Sequence, residues 1–260
     1  MPAEKIATEL YGGTVVIDHW PASHRYKLQG EKDYLISVTA VTGLIDKSRP
    51  LILWAIGLCR DYLLDRIERG FVLSRDDVIA ASNAHTEKKE EAAGFGSMVH
   101  DYAEAFGRAK ISGEPLPEIP KDAPEQVLSG ISAFLDWVDS HGVRFVQCER
   151  FLYSKVFGYC GKTDVIVEIG GKRYVVDYKT SKGLYDEFFF QVSAYWEAYE
   201  EETEEKLEGA ILVHFDKDTG GFEARTVGRE EHDKNLVCFL SLFNAKKRLK
   251  EMAKGRPWGD

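Results

Sequence analysis

The segment GKTDVIVEIGGKRYVVDYKTSK, residues 161–182, constrains the fold more than any other part of the chain. It has two runs of alternating apolar residues joined by Gly170-Gly171, and a two-residue type I′ turn needs positive φ at both central positions. If these glycines form the loop, Asp164 lies opposite Asp177. The same register produces one opposite-charge pair and three apolar pairs: Glu168 with Arg173, Ile166 with Val175, Val165 with Val176 and Val167 with Tyr174. The pattern therefore predicts an antiparallel hairpin.

Two carboxylates and one ammonium group meet at the open end of this hairpin. Directly opposed side chains lie about 4.5–5.5 Å apart at Cβ, so Asp164 and Asp177 repel each other unless a cation offsets their charge. A divalent metal ion would do so, and Lys179, two residues after Asp177, points to the same face. Such a group could hydrolyse a phosphodiester, with the metal activating water and Lys179 stabilising developing charge. The alternative is a surface hairpin in which Lys179 only pairs with a carboxylate.

The overall charge neither requires nor excludes a nucleic-acid partner. The 260 residues have a formal net charge of −9, but acidic runs at 87–91 and 200–208 account for much of the excess. Residues 245–256 are basic, so a positive groove on an acidic body is compatible with the composition. The N-terminus has no signal-peptide pattern, and no run approaches the roughly 20 apolar residues of a membrane span. We expect an intracellular protein, in the cytoplasm or a host cytoplasm, without a membrane partner.

Hydrophobic periodicity and turn residues predict an alternation of helices and strands. Short β-like runs occupy 14–20 and 26–41, and Ser74 with Asp77 forms an approximate capping box. Helices are predicted at 51–70, after Ser74, near 94–110, at 125–142, at 186–202 and from about 230 to 254. Strands are predicted after residue 142, in the 161–182 hairpin and in a second hairpin at 209–227.

This order indicates a mixed α/β or α+β core with an antiparallel centre, and it does not fit a βαβαβ nucleotide-binding fold. We expect a central mixed sheet flanked by helices, with a mainly helical N-terminal extension. The predicted division is residues 1–93 for a β-hairpin and helical extension, and residues 94–260 for the core with its C-terminal helix. The two are expected to pack as one unit.

Five sequence elements resemble the PD-(D/E)XK nuclease superfamily, in particular its RecB-like exonuclease branch. They are GFGSMVH with His100, QCERF with Glu149, GKTD with Asp164, VVDYKTSK with Asp177 and Lys179, and QVSAY with Gln191 and Tyr195. They occur in the order of that family over residues 94 to about 200. Residues 36–55 are also similar, more loosely, to the start of phage-type and mitochondrial-type members. The resemblance implies a restriction-endonuclease-like core.

The resemblance also implies roles for individual residues. His100, Asp164, Asp177 and the backbone carbonyl of Tyr178 would bind Mg²⁺ or Mn²⁺, with Glu149 as a further candidate ligand. Asp164, Asp177 and Lys179 would be catalytic. Gln191 and Tyr195 would support the site or hold DNA, and Lys182 and Lys162 would contact DNA. Each also has an ordinary reading: His100 as a helix histidine and Tyr195 as core.

Two features depart from the family pattern. Asp177 replaces the commoner glutamate before X-Lys, and the scattered cysteines do not match the four-cysteine arrangement of relatives with an iron–sulfur cluster, so none is expected. The resemblance implies a metal-dependent deoxyribonuclease, an exonuclease on single strands or duplex ends in recombination, repair or phage replication. A structure-specific endonuclease and a catalytically silent DNA-binding subunit of a recombination or replication complex remain alternatives. The sequence leaves the oligomeric state open.

Overall fold

The computed structural model describes residues 5–254, and a six-stranded mixed sheet lies at its centre. The strands, in chain order, are β1 (Ile6–Leu10), β2 (Val15–Trp20), β3 (Arg25–Leu28), β4 (Ile36–Ser37), β5 (Arg144–Tyr153), β6 (Tyr159–Ile169), β7 (Lys172–Lys179), β8 (Gly209–Phe215) and β9 (Phe222–Val227). The helices are α1 (Val38–Thr42), α2 (Ser48–Glu68), α3 (Arg75–Ser112), α4 (Glu125–Ser140), α5 (Asp186–Thr203) and α6 (Arg229–Lys254). The central sheet has the order β4-β6-β7-β8-β9, and β5 also pairs with β6.

The predicted hairpin is formed by β6 and β7. Gly170 and Gly171 have φ of 59° and 79°, as a type I′ turn requires. The register also matches the prediction, since Val165 pairs with Val176 and every pair through to Glu168 with Arg173 is the expected one. β7 and β8 run parallel, and so do β4 and β6. The sheet is therefore mixed, and its antiparallel parts are the β5–β6–β7 meander and the β8–β9 hairpin.

Helices cover both faces of the central sheet, which confirms the predicted architecture. One face packs against α1, α5 and α6 through a core that includes Ile166, Val175, Leu212, Trp196 and Phe239. The other face packs against α3 and α4 through Val165, Val176, Val213, Phe134 and Trp137. Neighbouring residues of β6 and β7 thus contribute to opposite cores, as the period of two in their sequence predicts. Over the described residues, no helix is both long and apolar enough to cross a membrane.

The N-terminal region differs from the sequence prediction in its strands. β1 was not predicted, and it forms a separate three-stranded antiparallel sheet with β2 and β3. The strand-like run at 26–41 is broken after β4, because the Ser37 hydroxyl accepts a hydrogen bond from the Ala40 N–H at 3.2 Å and caps α1. β4 itself joins the central sheet beside β6, with Ser37 paired to Cys160. This pairing connects the N-terminal region to the core.

The helices predicted after Ser74 and near 94–110 are one continuous helix of 38 residues, α3. The predicted capping box is present, with Ser74 and Asp77 bonding reciprocally at its start. The helix continues through the charged run at 87–91 because glutamate and lysine are good helix formers. The predicted boundary between residues 93 and 94 falls inside α3, so the two predicted units share one helix, and the division into domains stays a prediction.

Glycines allow α3 to lie close to the sheet. A Cβ built on Gly107 would meet Cys148 Sγ at 2.5 Å and Phe145 Cδ1 at 2.8 Å, distances shorter than side chains tolerate. A Cβ on Gly96 would meet Thr180 Oγ1 at 2.7 Å. Glycine is about 1 kcal/mol less favourable than alanine inside a helix, but at these two positions its missing side chain allows the close packing. This approach brings the residues between them, including His100, against the sheet.

We expect Gly107→Ala to lower the free energy of unfolding by about 1–3 kcal/mol, because the added methyl overpacks the contact with β5. Gly57→Ala in α2 is the matched control, since its Cβ would have no atom within 4 Å. That change should be neutral or stabilising by up to about 1 kcal/mol. Urea unfolding of both variants measures the two effects, and equal changes would contradict the close approach of α3 to β5.

Candidate active site

A pocket of about 220 Å³ lies beside β6 and the end of β7, and we name it the carboxylate pocket. Eight residues singled out from the sequence line it: His100, Lys162, Asp164, Asp177, Tyr178, Lys179, Gln191 and Tyr195. The two strands supply the carboxylates and Lys179, α3 supplies the histidine, and α5 supplies the glutamine and tyrosine. Residues from four separate elements thus meet at one place.

Asp164 and Asp177 lie one step beyond the last paired residues of the hairpin, Val165 and Val176. Asp164 Oδ2 accepts a hydrogen bond of 2.6 Å from the Tyr178 N–H. Asp177 is 3% exposed, so its carboxylate is almost fully removed from water. Both carboxylates line the carboxylate pocket, while the strand pairing itself ends one residue before them.

Lys179 and Gln191 surround the buried carboxylate of Asp177. The Lys179 ammonium forms an ion pair with Asp177 Oδ2, and it lies 3.3 Å from Gln191 Oε1 and 4.4 Å from the centre of the Phe188 ring. Gln191 Nε2 donates to Asp177 Oδ1 at 3.3 Å and to the Tyr195 hydroxyl at 3.0 Å. The Gln191 amide therefore accepts a hydrogen bond from the Lys179 ammonium through its oxygen and donates one to the Asp177 carboxylate through its nitrogen. Tyr195 is both a core residue and a part of this network.

His100, supplied by α3, lies beside Asp164. Its Nδ1 is 3.7 Å from Asp164 Oδ1, and its ring packs edge-on against Tyr178 at 6.1 Å. Burial alone would lower the pKa of His100, but the negative charges of Asp164 and Asp177 raise it overall. The histidine is thus placed to interact with either carboxylate charge or a shared cation.

The two carboxylates have opposite pKa shifts. Burial, together with the charge of Asp164, raises the pKa of Asp177 from 3.8 to about 6, although Lys179 partly offsets this. Burial would also raise the pKa of Asp164, but His100, Lys179 and the Tyr178 N–H lower it overall. The pocket therefore contains one carboxyl group that is stabilised as an anion and one that is destabilised as an anion.

The structure places Glu149 and Lys182 outside the carboxylate pocket. Glu149 has an unusual φ of 52° within β5 and forms an ion pair with Lys162. It lines a neighbouring cavity of about 760 Å³, to which Lys162 also contributes. Lys182 lines a third cavity, of about 660 Å³. Glu149 and Lys182 therefore do not line the carboxylate pocket, and their roles stay predictions.

Five further residues line the carboxylate pocket and were not singled out from the sequence: His24, Tyr26, Ser37, Thr39 and Gly161. Most belong to the N-terminal region, and the loose similarity at 36–55 was the one signal that pointed to part of it. Gly161 has a steric reason, since a Cβ there would meet Tyr195 Cε1 at 2.5 Å.

No three His, Cys, Asp or Glu side chains among residues 5–254 are already arranged as a metal-binding group. The Lys179 ammonium lies against Asp177, where a cation would otherwise be needed to offset the carboxylate charge. Asp177 Oδ2 is buried, and its partner within residues 5–254 is the Lys179 ammonium. This oxygen is therefore balanced by a cation, and it can exchange one cationic neighbour for another.

The opposite pKa shifts predict opposite effects of two amide substitutions on stability in metal-free buffer. A raised folded-state pKa stabilises the protein below the unfolded value of about 4, and this stabilisation is lost as the pH rises through about 6. Asp177→Asn should therefore raise the thermal midpoint at pH 8 and change it little at pH 4. Asp164→Asn should lower the midpoint at pH 8, because it removes an anion that the fold stabilises. Midpoints of both variants shifting in the same direction at pH 8 would contradict this electrostatic description.

The sequence matches no protein-family model and no curated protein. Among solved structures, the chain is similar to SSO0001 (20% identity, TM-score 0.29) over 49% of this chain and 62% of that one. It is also similar to the alkaline exonuclease LHK-Exo from Laribacter hongkongensis (15%, TM-score 0.31), over 59% of this chain and 84% of that one. A putative exonuclease from Eubacterium rectale matches at 14% identity and TM-score 0.33, over 60% and 80%. The chain thus spans less than two thirds of SSO0001, and these partial likenesses say nothing about activity.

Proposed function

We propose that the protein is a divalent-metal-dependent deoxyribonuclease of the PD-(D/E)XK type, acting as an exonuclease on single-stranded DNA or duplex ends. One observation supports this above all: the fold collects Asp164, Asp177, Lys179 and His100 from β6, β7 and α3 into one pocket. Such a combination of two carboxylates and an ammonium group is costly to bury, and it is typical of sites that bind and hydrolyse phosphate esters.

The residues of the pocket fit a small divalent cation. Carboxylate oxygens of Asp164 and Asp177 are the hard ligands that Mg²⁺ and Mn²⁺ prefer, and His100 and the Tyr178 carbonyl are further candidates. Asp177 Oδ2 is buried and already has a cationic partner, the Lys179 ammonium, whose place a metal ion could take. When bound, the metal would lower the pKa of a coordinated water and offset phosphate charge. The Lys179 ammonium would have to leave Asp177 to make room.

The protein's own groups have distinct tasks in this proposal. Lys179, 15% exposed in its side chain, would stabilise the negative charge that develops on the phosphate. Gln191 would hold Lys179 and Asp177 in register through the two ends of its amide. Tyr195 would fix the Gln191 rotamer by accepting its second N–H. We place the enzyme inside the cell, in DNA repair, recombination or replication.

The test is digestion of end-labelled linear and circular single-stranded DNA with Mg²⁺, Mn²⁺ or EDTA. We expect metal-dependent loss of the linear substrate only. Lys179→Ala and Asp177→Asn should each lower the rate by about 10²–10³-fold or more, because each removes a charge needed at the reacting phosphate. Lys172→Ala at the hairpin tip, where Lys172 pairs with Glu208, should leave the rate unchanged.

Two other outcomes would change the conclusion. Cutting of the circle would identify an endonuclease. Absence of cutting by the wild-type protein with every metal would refute a nuclease and leave a silent DNA-binding subunit. Since Asp177→Asn is expected to be more stable than wild type at neutral pH, its loss of activity could not be ascribed to unfolding.

A further inference from the structure

Successive stretches of α3 line three cavities, and the carboxylate pocket is the middle one. Residues 88–95 line the 660 Å³ cavity, His100 lines the carboxylate pocket, and residues 104–112 line the 760 Å³ cavity. An α-helix rises about 1.5 Å per residue, so the stretch from residue 88 to residue 108 is roughly 30 Å long. One helix thus forms a common wall for the site and for the spaces on both sides of it.

The two outer cavities differ in whether their cations are neutralised. In the 760 Å³ cavity, Arg108 pairs with Glu104 and Arg150 with Glu202, at 2.7 and 2.6 Å, and Lys162 pairs with a glutamate that also lines this cavity. Each of these cations already has a carboxylate partner. An added phosphate would have to compete with those carboxylates, so this cavity is a poor anion site.

The 660 Å³ cavity, which we name the lysine pocket, contains two lysines of a different kind. Among residues 5–254, neither Lys182 nor Lys217 forms an ion pair with a carboxylate, whereas Lys88 pairs with Glu91 at 2.7 Å. The Lys217 ammonium is half-buried and donates to the Ala92 carbonyl at 3.3 Å. The pocket therefore offers two ammonium groups that form no ion pair within the part of the chain that the structure describes.

The acidic residues of the lysine pocket do not cancel these charges. Asp216 uses its carboxylate to accept the N–H groups of Asp218 and Thr219 in the β8–β9 turn, at 2.9 and 3.2 Å. Asp218 is exposed to water, which screens its charge. Burial lowers the pKa of Lys217 overall; the charge of Asp218 offsets part of this lowering and Lys88 adds to it, so an anion beside Lys217 would offset the remaining cost.

The lysine pocket also adjoins the carboxylate pocket along the chain. Lys182 follows Lys179 by three residues, so their Cα atoms are at most about 10 Å apart in an extended chain. Thr180 and Ser181, which join them, line the lysine pocket. A strand whose reacting phosphate lies at Lys179 would therefore place a neighbouring phosphate within reach of Lys182.

We propose that the lysine pocket binds the phosphate backbone of the DNA strand on one side of the bond that is cut, through Lys182 and Lys217. The inference rests on the proposed nuclease function and specifies where along α3 the strand is held. Lys217, in the turn between β8 and β9, is the new member of the DNA-binding surface.

Fluorescence anisotropy of a labelled oligothymidylate measures this binding directly, in a Lys179→Ala background that prevents cutting. We expect Lys182→Gln with Lys217→Gln to raise Kd about tenfold. Each lost phosphate contact should also reduce the salt slope of log K by about 0.7. In the cleavage assay, which uses protein that retains Lys179, Lys182→Gln with Lys217→Gln should raise KM with little effect on kcat. Lys217→Arg, which keeps the positive charge, should bind the oligonucleotide as the protein with Lys217 does. Lys172→Gln is the matched control, because Lys172 pairs with Glu208 and lines none of the three cavities.

The outcomes separate this inference from the function on which it depends. Wild-type cutting together with unchanged Kd, salt slope and KM in the double variant would overturn the lysine pocket and leave the nuclease intact. Absence of both binding and cutting in the wild-type protein would overturn both. If Lys217→Gln does not fold, Lys182→Gln alone decides, because that side chain is exposed and an unchanged salt slope would refute its contact.

Discussion

The placement of two like-charged carboxylates in one small pocket, Asp177 buried and Asp164 partly buried, is the constraint on which the rest of the structure depends. Asp164 and Asp177 cannot both be ionised in an apolar setting without compensation. Compensation comes from the Lys179 ammonium and the Tyr178 N–H of β7, the Gln191 amide of α5 and His100 of α3. The pocket therefore exists only when the sheet, α3 and α5 are packed together. The charged site and the apolar cores therefore both require the same packing of α3 and α5 on the sheet.

Small residues make this arrangement sterically feasible. Gly96 and Gly107 lie on either side of His100 in α3 and allow the helix to approach the sheet, while Gly161 makes room for the Tyr195 ring. The apolar cores on the two faces of the sheet supply most of the folding energy, and the stability cost of burying Asp177 is accepted against it. A carboxyl group whose anionic form is destabilised, lying beside an open pocket, is a common feature of sites that bind cations or substrates.

Local sequence patterns predicted much of this, and long-range contacts explain what they missed. The Gly170-Gly171 turn fixed the register of β6 and β7, and Ser74 with Asp77 correctly marked the start of α3. Continuity of α3 was missed because a charged run looks the same in a solvated helix and in a loop. Ser37 was missed because it reaches the pocket through the pairing of β4 with β6, and His24 because it lies just before β3 in the separate N-terminal sheet; no local pattern encodes either placement. Lys217 was missed for the same reason, since its neighbours come from α3, more than a hundred residues away in sequence.

The proposed function requires Asp164 and Asp177 to bind one divalent metal ion together. Calorimetric titration of the metal-free protein with Mn²⁺ at pH 8, without DNA, measures this binding. We predict saturable binding that is lost in both Asp164→Asn and Asp177→Asn and retained in Lys172→Gln. Equal Mn²⁺ affinity in the wild-type protein and in both aspartate variants would contradict the claim, because the ion would then be bound elsewhere.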